Sequence, residues 1–226
     1  MLHYTSKSLN FPINWNIKRE PIYRILSDVK WMDNFFDKGE IMISCLNNFR
    51  NYPDEMRGDV NEGEAIIGGV SDNGNHNAVI YESGMKAFVM SATTELNDKV
   101  IKDFNGKCAI KINNPELFGL EISKKLPFVT SAIEGYCNYA ESRVHFFKKE
   151  QKENSIFQSI DFKNDPRSES IFKQLTMGME LFLKLDKYKH QKEYRLIWFS
   201  EEEVNESVLI KCPEATAFCD KIYFDE

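Results

Sequence analysis

The stretch His190 to Ser200, HQKEYRLIWFS, restricts the fold more than any other part of the chain. Tyr194, Leu196 and Trp198 alternate with Arg195, Ile197 and Phe199, which predicts a strand covered on both faces for much of its length. A strand of that kind needs pairing partners along its edges and packed layers above and below it. Its entrance is polar. Gln191 and Glu193 stand two residues apart, so both project from one face at the mouth of a buried strand. An amide and a carboxylate presented together there suit site chemistry. They equally suit a charged strand end satisfied by water and by Arg195.

The rest of the chain supplies partners for that strand. Pro21 to Leu26 reads as a strand with Arg24 inside it, and a charge in an apolar strand must find a partner or line a cavity. Asp28 suits an N-cap, Val29, Met32, Phe35 and Phe36 recur at helical spacing, and Gly39 ends the helix. Ile41–Ser44 is a second strand. Residues 47–74 are rich in Asn, Asp, Glu and Gly, which predicts a long loop region with one short strand at 65–70. Its carboxylates, Glu62 among them, lack the D-x-D-x-D-G order of a calcium loop, so no metal site is read there.

Ala78–Tyr81 and Lys86–Met90 read as a hairpin turning at Glu82–Met85. The second of these ends in Ser91-Ala92-Thr93-Thr94, hydroxyls that suit either a helix cap or a ligand. Lys107–Ile112 and Ala132–Tyr139 are further strands, with a short helix over 115–126. Ile171, Leu175, Met179, Phe182 and Leu185 predict a long helix over 165–188, with Lys184, Lys187 and Lys189 at its solvated end. Val208–Lys211 and Ile222–Phe224 close the sheet. The reading is one α+β domain over 1–226, with an N-terminal arm at 1–20 and a mixed, largely antiparallel sheet flanked by helices.

Composition excludes some functions. A net charge of −6 disfavours a surface that grips nucleic acid by bulk electrostatics, though not a nucleic acid held locally as substrate. The five cysteines are scattered, form no CxxC pair and have no zinc spacing with histidine. Neither a signal-peptide pattern nor a run of ~18 apolar residues is visible. The expectation is a cytoplasmic chain with reduced thiols and no membrane partner.

Three fragments then fall into order: Tyr23-Arg24 in a strand, Phe88-Val89-Met90-Ser91-Ala92-Thr93 at a strand end, and Gln191-Lys192-Glu193 at a strand start. This resembles the Arg / Ser-x-Ser(Thr) / Gln-x-Glu signature of mono-ADP-ribosyltransferases. The stretches DNFFDKGEIMISCLNNFR, MSATTE and KEYRLIWF bear a looser resemblance to bacterial abortive-infection-associated proteins of uncharacterised function. Three departures stand out, the first being that no Gly follows Arg24. Thr93 replaces the usual third serine, and the distance from that strand to Gln191 is long, which implies an insertion around 113–189 containing the long helix. The start Leu2-His3-Tyr4-Thr5 is similar to a His-based branch of the superfamily, with His3 ranked behind Arg24.

The resemblance implies an ADP-ribosyltransferase-like split sheet and NAD as co-substrate. Glu193 would stabilise the oxocarbenium-like state at the ribose, and Gln191 would orient the acceptor. Arg24 with Tyr23 would bind the dinucleotide, a diphosphate or ribose oxygen going to the guanidinium. Ser91, helped by Thr93, would hold the nicotinamide-side ribose and steady Glu193. Phe49, Tyr52 or Phe147 would stack on nicotinamide. The implied protein is a bacterial toxin or phage-defence effector. It would modify a nucleobase, RNA included, or a protein side chain, with an antitoxin or chaperone as possible partner. Two other readings stay open: NAD hydrolysis, and a non-catalytic interaction or antitoxin-like module in which Glu193 and Arg24 form a structural ion pair.

Overall fold

The computed structural model describes residues 2–4, 20–51, 58–161, 164–176 and 178–224. The architecture is mixed α+β, with antiparallel sheets and flanking helices. In chain order the strands are β1 (Leu2–Tyr4), β2 (Ile22–Leu26), β3 (Glu40–Cys45), β4 (Glu64–Val70), β5 (His76–Glu82), β6 (Ala87–Thr93) and β7 (Cys108–Ile112). They continue with β8 (Val129–Tyr136), β9 (Asn138–Ala140), β10 (Val144–Phe146), β11 (Leu183–Leu185), β12 (Glu193–Ser200), β13 (Val208–Lys211) and β14 (Cys219–Tyr223). The helices are α1 (Val29–Lys38), α2 (Leu46–Arg50), α3 (Asp98–Asp103), α4 (Pro115–Ser123), α5 (Lys152–Gln158) and α6 (Ser168–Thr176).

Strand β12 lies between β6 and β8 and is antiparallel to both. It is covered on both faces, as the alternation predicts. Tyr194, Leu196 and Trp198 join one core cluster with Met32 and Phe35 of α1 and Phe118 and Ile122 of α4. Ile197 joins a second cluster with Val89, Leu181 and Phe182 on the opposite face. The fully buried Trp198 donates its indole N–H to the Gly119 carbonyl at 3.0 Å, so the bulkiest core ring is also satisfied as a donor.

The large sheet runs β1-β8-β12-β6-β2-β7-β14, and it divides at β6. On the edge of β6 away from β12, Thr93 pairs with Tyr23 of β2. Farther back, Val89 and Phe88 pair with Ser44 and Cys45 of β3. Between these contacts Met90, Ser91 and Ala92 have no strand partner on that edge among the described residues. Helix α1 connects the two diverging strands. Asp28 caps its first turn by accepting from the Lys30 N–H, and Gly39 ends it in the left-handed region at φ 74°.

Three expectations change. The long helix over 165–188 is absent: α6 ends at Thr176, Gly178 takes φ 72°, and a 3-10 turn at Met179–Phe182 leads into β11. Strand β11 pairs in parallel with β9, and a second 3-10 turn, Asp186–Gln191, delivers the chain to β12. Burial of Leu181 and Phe182 against the sheet outweighs the helical spacing, and Gly178 is a poor helix residue. Lys184 is therefore a buried side chain rather than a solvated helix end.

The 78–90 hairpin is also absent. Strand β5 pairs with β4 across a turn at Ser71–Asn75, in a small sheet with β10. Gly84, at φ 88°, turns the chain out of that sheet and into the large one. The hydroxyls at 91–94 do not cap the next helix, because Asn97 caps α3 by accepting from the Val100 N–H.

Gly39 is constrained twice. Its φ disfavours a side chain, and an added Cβ would collide with the Pro213 backbone. Gly39→Ala should destabilise the fold by about 2–4 kcal/mol in chemical denaturation, combining left-handed strain with overpacking. A loss within about 0.5 kcal/mol of zero would show that the α1–β3 junction yields easily.

Candidate functional site

The opening beside Met90–Ala92 is a cavity of about 620 Å³, within the ~300–1,000 Å³ range of small-molecule sites. Tyr23, Arg24, Ser91, Thr93, Gln191 and Glu193 all line it, together with Phe49, Glu62, Lys184 and Arg195. Residues from three distant segments meet here because β12 pairs with β6, and β6 pairs with β2. Register places Glu193 opposite Thr93, Arg195 opposite Ser91 and Tyr23 opposite Thr93. These residues therefore share one face. By the alternation along β2, Arg24 belongs to the other face and meets the cavity where the strands part.

Glu193 is the most heavily coordinated carboxylate in the cavity. Its Oε1 accepts from the Ser91 hydroxyl at 2.7 Å and from Arg195 Nε at 2.6 Å, and its Oε2 accepts from Lys184 Nζ at 2.6 Å. The Glu193 backbone N–H donates to the Tyr139 hydroxyl at 2.8 Å. Lys184 also donates to Gln191 Oε1 at 3.1 Å, so one ammonium joins the amide and the carboxylate of the Gln-x-Glu pair. Lys192, between them, adopts φ 46°, the kink that brings Gln191 from its 3-10 turn onto the same group.

Behind this layer Arg195, 1 % exposed, donates from Nη1 and Nη2 to the two oxygens of Glu62, at 2.7 and 3.0 Å. Its Nη1 also donates to the Leu181 carbonyl at 2.6 Å. Glu62, Arg195, Glu193 and Lys184 thus form a continuous buried chain with two charges of each sign. Burial alone would push the Glu193 carboxyl up. The charges and hydrogen bonds of Arg195 and Lys184 outweigh burial and hold it well below the ordinary carboxylate range.

Arg24 stands apart from that balance. Its Nη2 donates to the Met42 carbonyl across the gap between β2 and β3 at 2.6 Å. Its Nη1 is buried and, among the described residues, has no hydrogen-bond partner. Burial brings this guanidinium down to about 10. Among the described residues Arg24 makes no ion pair, so Arg24 and Glu193 are not the structural pair that the non-catalytic reading required. Such a guanidinium has the donor chemistry to meet an anionic oxygen.

The remaining expected residues divide. Thr93 lines the cavity, but its hydroxyl donates to the Glu95 carbonyl and accepts from the Glu95 N–H, so of the two hydroxyls only Ser91 meets Glu193. Of the candidate aromatics, Phe49 lines the cavity. Phe147 packs with Ile67 and Phe157 under the small sheet, and Tyr52 lies outside the described residues. His3, on β1, is opposite Ile133 of β8.

Sequence reasoning missed Glu62 and Lys184. Glu62 read as one acid among many in a polar loop, and Lys184 as the end of a helix. Neither has a local signal, since each is buried only by pairing with a residue far away along the chain or on another element. Comparison with protein-family models, with curated proteins and with solved structures finds no match.

Two measurements test this site. Removing Arg195 by Arg195→Met should cost about 3–5 kcal/mol, because Glu62 and Glu193 lose their shared cation. Adding Glu62→Gln should recover part of that loss, and additive costs would refute the coupling. Because the folded Glu193 carboxyl lies below its ordinary value of 4.5, its contribution to stability is complete above that pH. The contribution is lost as pH falls through the folded value. The acid limb of stability against pH should therefore be shallower in Glu193→Gln than in the wild type.

Proposed function

We propose that the chain is a NAD-dependent mono-ADP-ribosyltransferase on an ADP-ribosyltransferase-like split sheet, acting in the cytoplasm as a toxin or phage-defence effector. The observation that carries the reading is the convergence of Arg24, Ser91, Gln191 and Glu193 on one cavity, with Ser91 donating directly to Glu193. Four residues picked from three separated motifs have no structural need to share a cavity.

The donor set suits a dinucleotide. The unpartnered Nη1 of Arg24 offers a charge-assisted hydrogen bond to a diphosphate oxygen. Bound NAD supplies a nicotinamide–ribose bond whose cleavage develops positive charge at the ribose. Glu193 is held ionised next to that position. Ser91 and Arg195 occupy Oε1, while Oε2 takes Lys184 and keeps capacity for one further donor, such as a ribose hydroxyl. Gln191, fixed by Lys184, presents the second polar group of the motif to the acceptor.

The acceptor is a nucleobase, in RNA or a nucleotide, or a protein side chain. The charge of −6 favours a short or single-stranded nucleic acid over a long duplex. An antitoxin or chaperone is the partner such an activity calls for. NAD hydrolysis is the limiting case in which water takes the acceptor's place. The competing reading, a non-catalytic module, draws on the charge-balanced chain of Glu62, Arg195, Glu193 and Lys184, since buried networks of this kind also occur as purely structural elements.

Incubation with labelled NAD and cellular RNA or protein decides between them. Wild type should transfer label, and Glu193→Gln should lose about 10²–10³-fold of the rate, the scale for removing one transition-state electrostatic group. Ser91→Ala should weaken transfer while keeping the fold, which guards against mere unfolding of the Glu193 variant. Absence of both transfer and nicotinamide release, from folded wild-type protein offered a broad acceptor set, overturns the proposal.

A further inference from the structure

The cavity has an aromatic end that the transfer chemistry leaves unassigned. Trp31 lines it from α1 and is 50 % exposed, whereas its helix neighbours Met32 and Phe35 are fully buried. The helix is thus anchored by its core face and by caps at both ends, so it holds the indole in a defined place. Lys30 Nζ lies 4.7 Å from the ring centroid and is itself tied to Asp28 at 3.0 Å. Met42, another half-exposed apolar side chain of the lining, comes from β3, and its carbonyl receives Arg24 Nη2.

Arg24 therefore bridges the split next to this apolar end, and its buried Nη1 still lacks an acceptor. A bare guanidinium N–H calls for an anionic oxygen, and an indole left half open on a cavity wall calls for a planar ring. One ligand meets both demands when it carries a phosphate next to a heteroaromatic base. We infer that Trp31 is the platform on which the base of a bound purine nucleoside diphosphate stacks, with the phosphates directed toward Arg24. The inference rests on the NAD reading and assigns the adenine end of the dinucleotide, leaving the nicotinamide end to Ser91 and Glu193.

Calorimetric titration of wild type, Trp31→Ala and Trp31→Phe with ADP, inorganic pyrophosphate, nicotinamide mononucleotide and NAD tests it. Trp31→Ala should bind ADP and NAD about tenfold or more weakly, on the scale of base–aromatic stacking, while Trp31→Phe keeps most of the affinity. Pyrophosphate and nicotinamide mononucleotide should bind all three proteins alike. Equal ADP affinity in wild type and Trp31→Ala overturns the inference. So does an equal weakening of pyrophosphate, which would mark a distorted cavity. Failure of wild type to bind either ADP or NAD overturns both this inference and the NAD reading. Trp31-dependent ADP binding without any ADP-ribose transfer supports the inference and refutes the transferase alone.

Discussion

A guanidinium buried in the middle of a strand is the constraint on which the rest of the site depends. Arg195 is almost completely buried, and its charge cannot be shed at any ordinary pH, so its donors must be met by protein. They are met by Glu193 two residues back, by both oxygens of Glu62 and by the Leu181 carbonyl. One side chain thereby ties the mouth of β12 to the turn that carries Glu62 and to the 3-10 turn before β11. An apolar side chain of similar volume would fill the space, and buried ion pairs often add no net stability. What the apolar replacement would lack is direction: the guanidinium holds Glu193 in one orientation.

The same sheet that buries Arg195 also opens next to it. Strand β6 has one complete edge, paired with β12 along its length, and one divided edge shared between β2 and β3. The complete edge gives Ser91 and Glu193 a fixed register. The divided edge leaves Met90 to Ala92 unpaired, and an unpaired strand edge in a core must face a cavity, solvent or a ligand. Rigidity on one side and access on the other come from a single strand. That is the arrangement a precise binding site requires, because polar groups on regular strands are held more exactly than groups on loops.

Much of this was legible in the sequence where the signal is local. The alternation of HQKEYRLIWFS announces a strand buried on both faces, and Asp28 and Gly39 bracket α1 by capping chemistry that needs no distant partner. The association of Arg24, Ser91, Gln191 and Glu193 came from ordered motifs rather than from spacing within any one element. What stayed hidden is non-local. Ile171 to Leu185 carries a helical period, yet Gly178 and the burial of Leu181 and Phe182 turn its second half into a strand whose lysine closes on Glu193. Strand β5 faced a choice between β4 and β6, and the left-handed Gly84 decided it. Glu62 looked like any loop carboxylate because its partner is 133 residues away.

The electrostatics of Glu193 decide what kind of work it can do. Lys184 and Arg195 guarantee that the carboxylate is ionised, but they also neutralise much of its field, so it does not act as a bare charge. Coulomb attraction to a positive centre is screened by two cations already in contact, whereas a further hydrogen bond accepted by Oε2 would be short-ranged and little screened. The larger contribution is therefore positional: an oriented acceptor that stays ionised well below the ordinary carboxylate range. The unbalanced charge of the cavity lies elsewhere, on Arg24, at the gap in the sheet. The unpartnered guanidinium and the coordinated carboxylate thus stand on different strands, and a ligand would meet both only if it were long enough to reach from β12 to the parting of β2 and β3.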